Sequence, residues 1–119
     1  MFVIARSRLR EFWEQAGPED SLEPLAAWFK IAETANWGTW ADVKSIFGSA
    51  STVGNCTVFN IAGNKYRLAT RIIYSKYRVY VLRVMSHRDY DDQEKWQNDC
   101  GCHEPPPTPA PAKTAKRKK

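Results

Sequence analysis

Three cations in the segment VFNIAGNKYRLATRIIY (residues 58–74) are spaced so that they would share one face of a strand. Lys65, Arg67 and Arg71 are two and four positions apart, and side chains two apart on a strand point to the same side. The segment has no acidic residue, whereas a face that only meets solvent usually contains both signs. We therefore expect a row of fixed positive charge on one side of a sheet, of the kind that binds a polyanion.

The segment MSHRDYDD (residues 85–92) supplies side chains of a second kind. His87 and Tyr90 lie three positions apart beside Arg88, and histidine is the side chain that titrates nearest to neutral pH. Arginine binds phosphate oxygens through its planar guanidinium group and stays charged. These residue types suit metal-free RNA cleavage. In this reaction the 2′-hydroxyl attacks the adjacent phosphate, a base removes its proton, an acid protonates the leaving 5′-oxygen and cations stabilise the phosphorane. The alternative is a structural His87.

No metal or other cofactor is expected. CGCH (residues 100–103) has the spacing of neither a zinc site nor a haem attachment motif, and the chain has no second Cys/His pair. IAGNKY (residues 61–66) lacks the glycines and the helix of a phosphate-binding loop. The reaction described above requires no metal.

The cysteines and the apolar runs indicate the compartment. Cys56, Cys100 and Cys102 are an odd number and too few for a disulfide framework, which favours a reducing compartment. The apolar run near the start of the chain is too short for a signal peptide, and no segment approaches the ~20 apolar residues that span a bilayer. We therefore expect a cytoplasmic protein without a membrane partner.

The positive charge is concentrated in one block of the chain. The 119 residues have a formal net charge of +5, and residues 56–90 contain seven Lys/Arg but one Asp. Residues 1–55 instead contain five Lys/Arg and seven Asp/Glu. The hydrophobic content of 43% suits a packed domain, so the basic block is expected to form a surface on a folded protein.

The apolar periodicity predicts an α+β fold in which N-terminal helices pack on one face of a small, mostly antiparallel sheet. Three helices are expected: one through residues 9–16, one that begins at Asp20 or Ser21, and a short one with Thr39 as N-cap and Asp42 three residues later. Strands are expected at residues 2–5, 56–61, 65–74 and 77–86. Because the helical aromatic residues recur at intervals of three to four, core packing is favoured over a base-stacking platform. The opposite face of the sheet is expected to be open and to present the cations.

The composition changes near the end of the chain. Residues 1–97 form the expected domain, and residues 98–119 contain the segment EPPPTPAPAKTAKRKK, which has no apolar period. A Pro/Lys-rich segment of this kind cannot bury a core, so this tail is expected to be disordered.

The register of the last two strands is left open by the sequence. A two-residue turn at Ser75-Lys76 would place Arg83 on the face that meets the helices. Either a β-bulge shifts the register, or Arg83 pairs with a carboxylate under the helices.

The quoted residues resemble a known family. VFNIAGNKYRL, followed some twenty residues later by SHRDYD, is similar to the HigB-type toxins of bacterial type II toxin–antitoxin modules, in the RelE/ParE superfamily. VIARSRLREFWE and the segment from WFK to STVGN also resemble that family, so the similarity covers about residues 1–95. Ala62 and Ser86 depart conservatively from the usual residues. The resemblance implies an mRNA endonuclease that acts on the ribosome and is silenced by a helix-turn-helix antitoxin of the HigA type.

The resemblance also implies site residues. Arg67, His87 and Tyr90 match the catalytic positions, and Lys65 is a further candidate. We expect the RNA backbone to be bound by Asn64, Arg71, Lys76 and Arg88. Two other functions stay open: a ParE-like inhibitor of DNA gyrase, which shares the fold without the RNA-cutting residues, and a noncatalytic RNA-binding module.

Overall fold

The computed structural model describes residues 1–103 of the chain, and these form a five-stranded sheet with helices on both faces. The strands are β1 (Phe2–Ile4), β2 (Ser51–Val53), β3 (Cys56–Ile61), β4 (Tyr66–Ile73) and β5 (Arg78–Ser86). The helices are α1 (Ser7–Trp13), α2 (Leu22–Thr34), α3 (Trp40–Ile46), α4 (His87–Asp91) and α5 (Gln93–Asp99), with 3-10 turns at Glu19–Ser21 and Tyr74–Lys76. The predicted α+β class is confirmed.

The N-terminal helices form where their sequence patterns predict them. On α2, Leu25, Trp28 and Ala32 are buried at helical spacing. The Thr39 side chain accepts from the amide of Asp42, and the Asp42 carboxylate accepts from the amide of Thr39, so the predicted cap is a full capping box. Apolar spacing and side-chain capping between residues a few positions apart therefore account for these helices.

The sheet is mixed, with the strand order β1-β5-β4-β3-β2. β1 runs parallel to β5, and every other neighbouring pair is antiparallel. β4 and β5 are the longest strands and lie beside each other in the interior of the sheet. The first strand of the chain thus joins the sheet next to its last strand, and α1 to α3 pack on one face.

A β-bulge decides the position of Arg83. Near the turn, Ile73 pairs with Arg78, but the register shifts between Ala69 and Thr70, so that Ala69 pairs with Arg83. Arg83 consequently lies on the face opposite α1 to α3, where its guanidinium binds the Asp99 carboxylate at 3.1 Å. Of the two alternatives left open by the sequence, the bulge is confirmed.

The face of the sheet away from α1–α3 is covered, contrary to the expectation of an open surface. Trp96 of α5 is 1% exposed and packs with Val58, Ala69 and Met85 in a second hydrophobic cluster. Sequence patterning missed this cluster because α5 is short and contains a single large apolar side chain within a polar segment.

A disulfide joins Cys56 of β3 to Cys102, so the expectation drawn from the cysteine count is wrong for this pair. The boundary that the sequence suggested after residue 97 falls within α5, and we propose to place it after His103. The remainder of the expected tail, residues 104–119, lies outside the described residues. Within residues 1–103, no helix has both the length and the apolar character needed to cross a membrane.

Candidate functional site

The β3–β4 turn and the junction between β5 and α4 meet at one end of the sheet. Tyr66, the first residue of β4, pairs with Ser86, the last residue of β5. The amide of His87 donates to the carbonyl of Lys65 at 3.2 Å, which joins the two connections directly. Residues 64–67 and 87–90, far apart in the sequence, are therefore neighbours in the fold.

Helix α4 begins where β5 ends because Ser86 caps it. The Ser86 hydroxyl accepts from the amide of Asp89 at 3.2 Å, which is the usual N-cap contact. The helix leaves His87 and Arg88 exposed, whereas Tyr90 is partly buried against the sheet. One short helix therefore provides both a solvent-facing and an inward-facing candidate residue.

Arg67 is the most enclosed of the candidate residues, with 8% of its surface exposed. Its Nη1 donates to the carbonyls of Asn64 at 3.0 Å and Tyr66 at 3.2 Å, and its Nη2 donates to Oδ1 of Asn64 at 3.4 Å. Within residues 1–103 no ion pair links Arg67 to a carboxylate. Neutral oxygens thus fix the guanidinium group and leave its charge available for an anionic ligand.

Three side chains form a layered arrangement, which we call the Arg67–Tyr90–Trp96 stack. The Arg67 guanidinium carbon lies 5.0 Å from the centroid of the Tyr90 ring, a cation–π distance. The Tyr90 ring is stacked on Trp96 at 5.3 Å, and Trp96 Nε1 donates to the carbonyl of Tyr90 at 2.9 Å. Because Trp96 is buried, it forms the fixed base of the stack.

His87 is exposed and lies one helical turn before Asp91. Its Nδ1 is 3.5 Å from Oδ2 of Asp91, and both side chains are more than half exposed. The carboxylate therefore orients the imidazole ring while leaving it accessible to a ligand in solvent.

Lys65 does not join the expected row of cations. It precedes β4, and its ammonium group forms an ion pair with Asp20 on the side of the sheet that faces the helices. The hydrogen bond from Lys65, followed by that from the Tyr66 hydroxyl, lowers the pKa of Asp20. The hydrogen bond to Asp20, together with burial, raises the pKa of Tyr66 to about 12. A neighbouring carboxylate thus compensates the charge of Lys65, and the row is broken at its first member.

The other candidate residues differ in their access to the site. Asn64 contacts Arg67, and exposed Arg88 follows His87. Arg71 shares the face of Arg67 but lies about 13 Å further along β4 and donates to the carbonyl of Gly101 at 2.9 Å. Lys76 lies beyond the far end of β4, in the turn of Tyr74–Lys76. The structure therefore groups Asn64, Arg67, His87, Arg88 and Tyr90, and separates Lys65, Arg71 and Lys76 from them.

Sequence reasoning missed two residues that shape this site. Asp20, which binds Lys65 and Tyr66, gave no signal because it lies more than forty residues from either in the chain. Trp96 gave a weak signal, since a single tryptophan in a polar segment is usually in contact with other apolar side chains.

The fold defines the class of this protein: a five-stranded mixed sheet with N-terminal helices on one face is the RelE-like α+β architecture. Residues 21–93 match the HigB toxin family, described as a RelE-like toxic component of a toxin–antitoxin system. Since the match covers more than half of the chain, the chain belongs to this family, as its resemblance implied. A search of curated proteins found no match.

Membership of the family makes the chain a RelE-like toxin and implies an antitoxin partner. All the candidate residues from Asn64 to Tyr90 fall within the matched region, whereas Trp96 and Cys102 lie beyond its end.

Proposed function

We propose that this toxin is a cytoplasmic, metal-independent mRNA endonuclease, an mRNA interferase, that cleaves translated message on the ribosome and so inhibits translation. The observation that supports this function most directly is the buried guanidinium group of Arg67, which has no paired carboxylate among residues 1–103. It lies at the same end of the sheet as the accessible imidazole of His87. Such a pair provides fixed positive charge and a proton donor, which are two of the functions that cleavage by the RNA's own 2′-hydroxyl requires.

Arg67 is proposed to bind the scissile phosphate. Its hydrogen bonds to Asn64 and its position over Tyr90 hold the guanidinium group before any ligand arrives. Charge that is already oriented requires no reorganisation as negative charge accumulates on the phosphorane, and it acts more strongly in a partly buried position than in water.

His87 is proposed to act as the general acid. Solvent water takes the proton of the 2′-hydroxyl as the 2′-oxygen forms its bond to phosphorus. The bond from phosphorus to the 5′-oxygen then breaks, and the imidazolium group gives its proton to that oxygen. The products are a 2′,3′-cyclic phosphate and a free 5′-hydroxyl. The Asp91 carboxylate, 3.5 Å from Nδ1, orients the imidazole ring.

The remaining residues are proposed to have supporting roles. Tyr90 positions the Arg67 guanidinium group through its ring, and Asn64 and Arg88 bind the RNA near the scissile phosphate. Lys65 contributes only if its ion pair with Asp20 opens, and Lys76 would contact RNA at a distance from the cleavage point.

Primer extension on a translated message tests this proposal. Wild-type protein should produce cuts within the reading frame that disappear when initiation is blocked. Arg67→Ala should reduce the cleavage rate by ~10²–10³, because it removes a charge that stabilises the transition state. His87→Gln should reduce it by ~10²–10⁴, because it removes the proton donor. Arg67→Lys should recover part of the loss, since an ammonium group retains the charge without the planar fork.

The matched control is Arg10→Ala, which removes an exposed cation of α1 that forms an ion pair with Glu14. It should cut at the wild-type rate. A folded His87→Gln variant with wild-type cleavage would rule out the role of that residue. Absence of cuts together with inhibited DNA supercoiling would instead support the gyrase inhibitor, and RNA binding without cuts would support the noncatalytic module.

The antitoxin partner is proposed to be a HigA-type helix-turn-helix protein that covers the basic surface or blocks access to the ribosome. Co-expression with the neighbouring antitoxin gene should restore growth. Failure of every adjacent open reading frame to do so would count against this partner.

A further inference from the structure

Asn60 of β3 is the direct cross-strand neighbour of Arg67 in the register of β3 and β4. Phe59 and Ile61, on either side of Asn60, belong to the hydrophobic core under α1–α3, so Asn60 lies on the opposite face of the sheet together with Arg67. Directly paired side chains of an antiparallel sheet are about 5 Å apart at their Cβ atoms. The residue type at position 60 therefore decides what the guanidinium group meets on that side.

The Asn60 amide is connected to Arg67 through Asn64. Nδ2 of Asn60 donates to Oδ1 of Asn64 at 3.3 Å, and Nη2 of Arg67 donates to the same oxygen at 3.4 Å. Reversal of the Asn64 amide would place an NH2 group against both donors, so the two contacts hold it in one orientation. Nδ2 of the exposed Asn64 has no acceptor among residues 1–103, and this donor is therefore available to a phosphate oxygen.

The neutral charge of Asn60 is unfavourable for the fold but favourable for an anion site. Opposite charges on directly paired strand residues stabilise a sheet, so an acidic side chain opposite Arg67 would favour folding. In the part of the chain that the structure describes, no carboxylate pairs with Arg67. An internal carboxylate would compete with a phosphate for the guanidinium group, whereas an amide makes hydrogen bonds without adding charge.

We propose that Asn60 is a positioning residue of the phosphate site, which orients the Asn64 amide toward the ligand and keeps the charge of Arg67 free of a carboxylate. This inference rests on the proposed function and deepens it by adding a residue that acts through Asn64 and Arg67. An acidic side chain of the same size at position 60 should therefore neutralise the site without disturbing the fold.

The first experiment tests the position of Asn60 without any RNA. Urea unfolding at low salt is measured for Asn60→Asp, for Arg67→Ala and for the double variant, which form a double-mutant cycle. Asn60→Asp should destabilise the Arg67→Ala protein more than it destabilises the wild type, because only the wild type supplies a cation for the new carboxylate. Equal effects in the two backgrounds overturn the proposal.

The second experiment measures phosphate binding. The probe is a single-stranded 2′-O-methyl oligoribonucleotide, which cannot be cleaved through a 2′-hydroxyl, titrated at several salt concentrations. Asn60→Asp should reduce the slope of log K against log salt by about 0.7, the change expected for the loss of one phosphate contact. Asn60→Ala retains the charge of Arg67, so it should keep the slope while the affinity falls about 2- to 10-fold through release of the Asn64 amide.

The matched control for binding is Asn36→Asp, which makes the same change of charge at an exposed position between α2 and α3. It should bind the probe with the slope and affinity of the wild type. A wild-type slope in folded Asn60→Asp overturns the proposal. Asn60→Glu, which brings the same charge on a longer side chain, repeats the test if circular dichroism shows that Asn60→Asp does not fold.

Cleavage of translated message separates positioning from a structural role. Asn60→Asp should cut about 10- to 100-fold more slowly than the wild type, because its carboxylate occupies the guanidinium group. Asn60→Gln, which keeps an amide donor, should recover part of the activity that Asn60→Ala loses. A residue that only supported the β3–β4 turn would make activity follow stability, so a stable Asn60→Asp variant that cleaves like Asn36→Asp overturns the proposal.

Failure of the proposed function would give a different result. It would appear as wild-type cleavage by Arg67→Ala and His87→Gln, or as no cuts by any variant, while the coupling of position 60 to Arg67 and the change of salt slope stay intact. Failure of the positioning role would instead appear as absent coupling and an unchanged slope in a protein whose Arg67→Ala variant is inactive.

Discussion

On the face of the sheet that α1–α3 cover, which we call the helix face, the rings of Trp28, Trp37 and Phe47 all contact Phe59. On the opposite face the largest buried side chain is Trp96, and a disulfide holds the segment that follows it. The first face is closed by large apolar side chains from three helices. The second is closed by one short helix and a covalent bond, and it contains Arg67 and Arg71. The comparison shows that the large aromatic side chains are packed on one face and that the candidate cations lie on the other. This division is expected if the second face has the proposed anion-binding role, because a face that binds an anion cannot be filled with apolar side chains alone.

Neighbouring residues of β3 provide the largest expected difference between the faces. Phe59→Ala should lower the free energy of unfolding by about 3–5 kcal/mol, because it removes a fully buried ring. Val58→Ala, one residue away on the opposite face, should cost only about 2 kcal/mol for the loss of two buried carbons. Urea unfolding of both variants under one redox condition measures the difference. Equal losses would contradict the assignment of stability to the helix face.

Removal of the disulfide should have the next largest effect. Cys102→Ser should lower the free energy of unfolding by about 2–4 kcal/mol under non-reducing conditions, because the bond closes a loop between residues 46 positions apart. Dithiothreitol should lower the stability of the wild type toward that of the variant. Cys100→Ser, which removes the free thiol, serves as the control and should respond to dithiothreitol as the wild type does.

The ring and the hydroxyl of Tyr90 can be separated by substitution. Tyr90→Ala removes the surface on which the Arg67 guanidinium group lies, a cation–π contact worth about 0.5–2 kcal/mol, and cleavage should fall accordingly. Tyr90→Phe keeps the ring and its contact with Trp96, so it should lose less activity. Equal losses in Tyr90→Phe and Tyr90→Ala would show that the hydroxyl, not the ring, is the functional group, because both substitutions remove it.

The smallest expected effect concerns the exposed Asp20 on the helix side. Its pKa is lowered in the folded protein by the hydrogen bonds from Lys65 and Tyr66, so its stabilising contribution is present above the unfolded pKa of ~3.9 and is lost as the pH falls through the folded value. Asp20→Asn should therefore show a weaker loss of thermal stability below about pH 4 than the wild type does. The difference should shrink in high salt, since the pair is exposed. An identical dependence of thermal stability on pH in the variant and the wild type would contradict the contact of Asp20 with Lys65 and Tyr66.

Local patterns predicted much of the fold. The stripe on α2, the capping box at Thr39 and the strands at residues 56–61, 66–73 and 78–86 each follow from interactions between residues a few positions apart. Three elements were missed. Strand β2 has only three residues, and α4 and α5 are short and polar, so none of them has an apolar period by which a sequence pattern would detect it.

Pairings between distant residues were not predictable in the same way. The position of Lys65 depends on Asp20, which is 45 residues away in the chain. That of Arg83 depends on the pairing register of β5 with β4 and on Asp99, which is 16 residues away. A one-residue shift in register moves a side chain to the other face, and the sequence contains no local signal for that shift.

The sequence by itself determined the helix-covered core, the basic block of residues 56–90 and the chemical types of the candidate residues, because composition and short-range periodicity are properties of neighbouring residues. Only the tertiary structure decided which cations are available. Within residues 1–103 it placed Arg67 on Tyr90 without a carboxylate partner, paired Lys65 with Asp20, and bound Arg71 to the carbonyl of Gly101. The physical reason is that the charge a ligand meets depends on burial and on partners brought together by folding, and neither can be read from spacing along the chain.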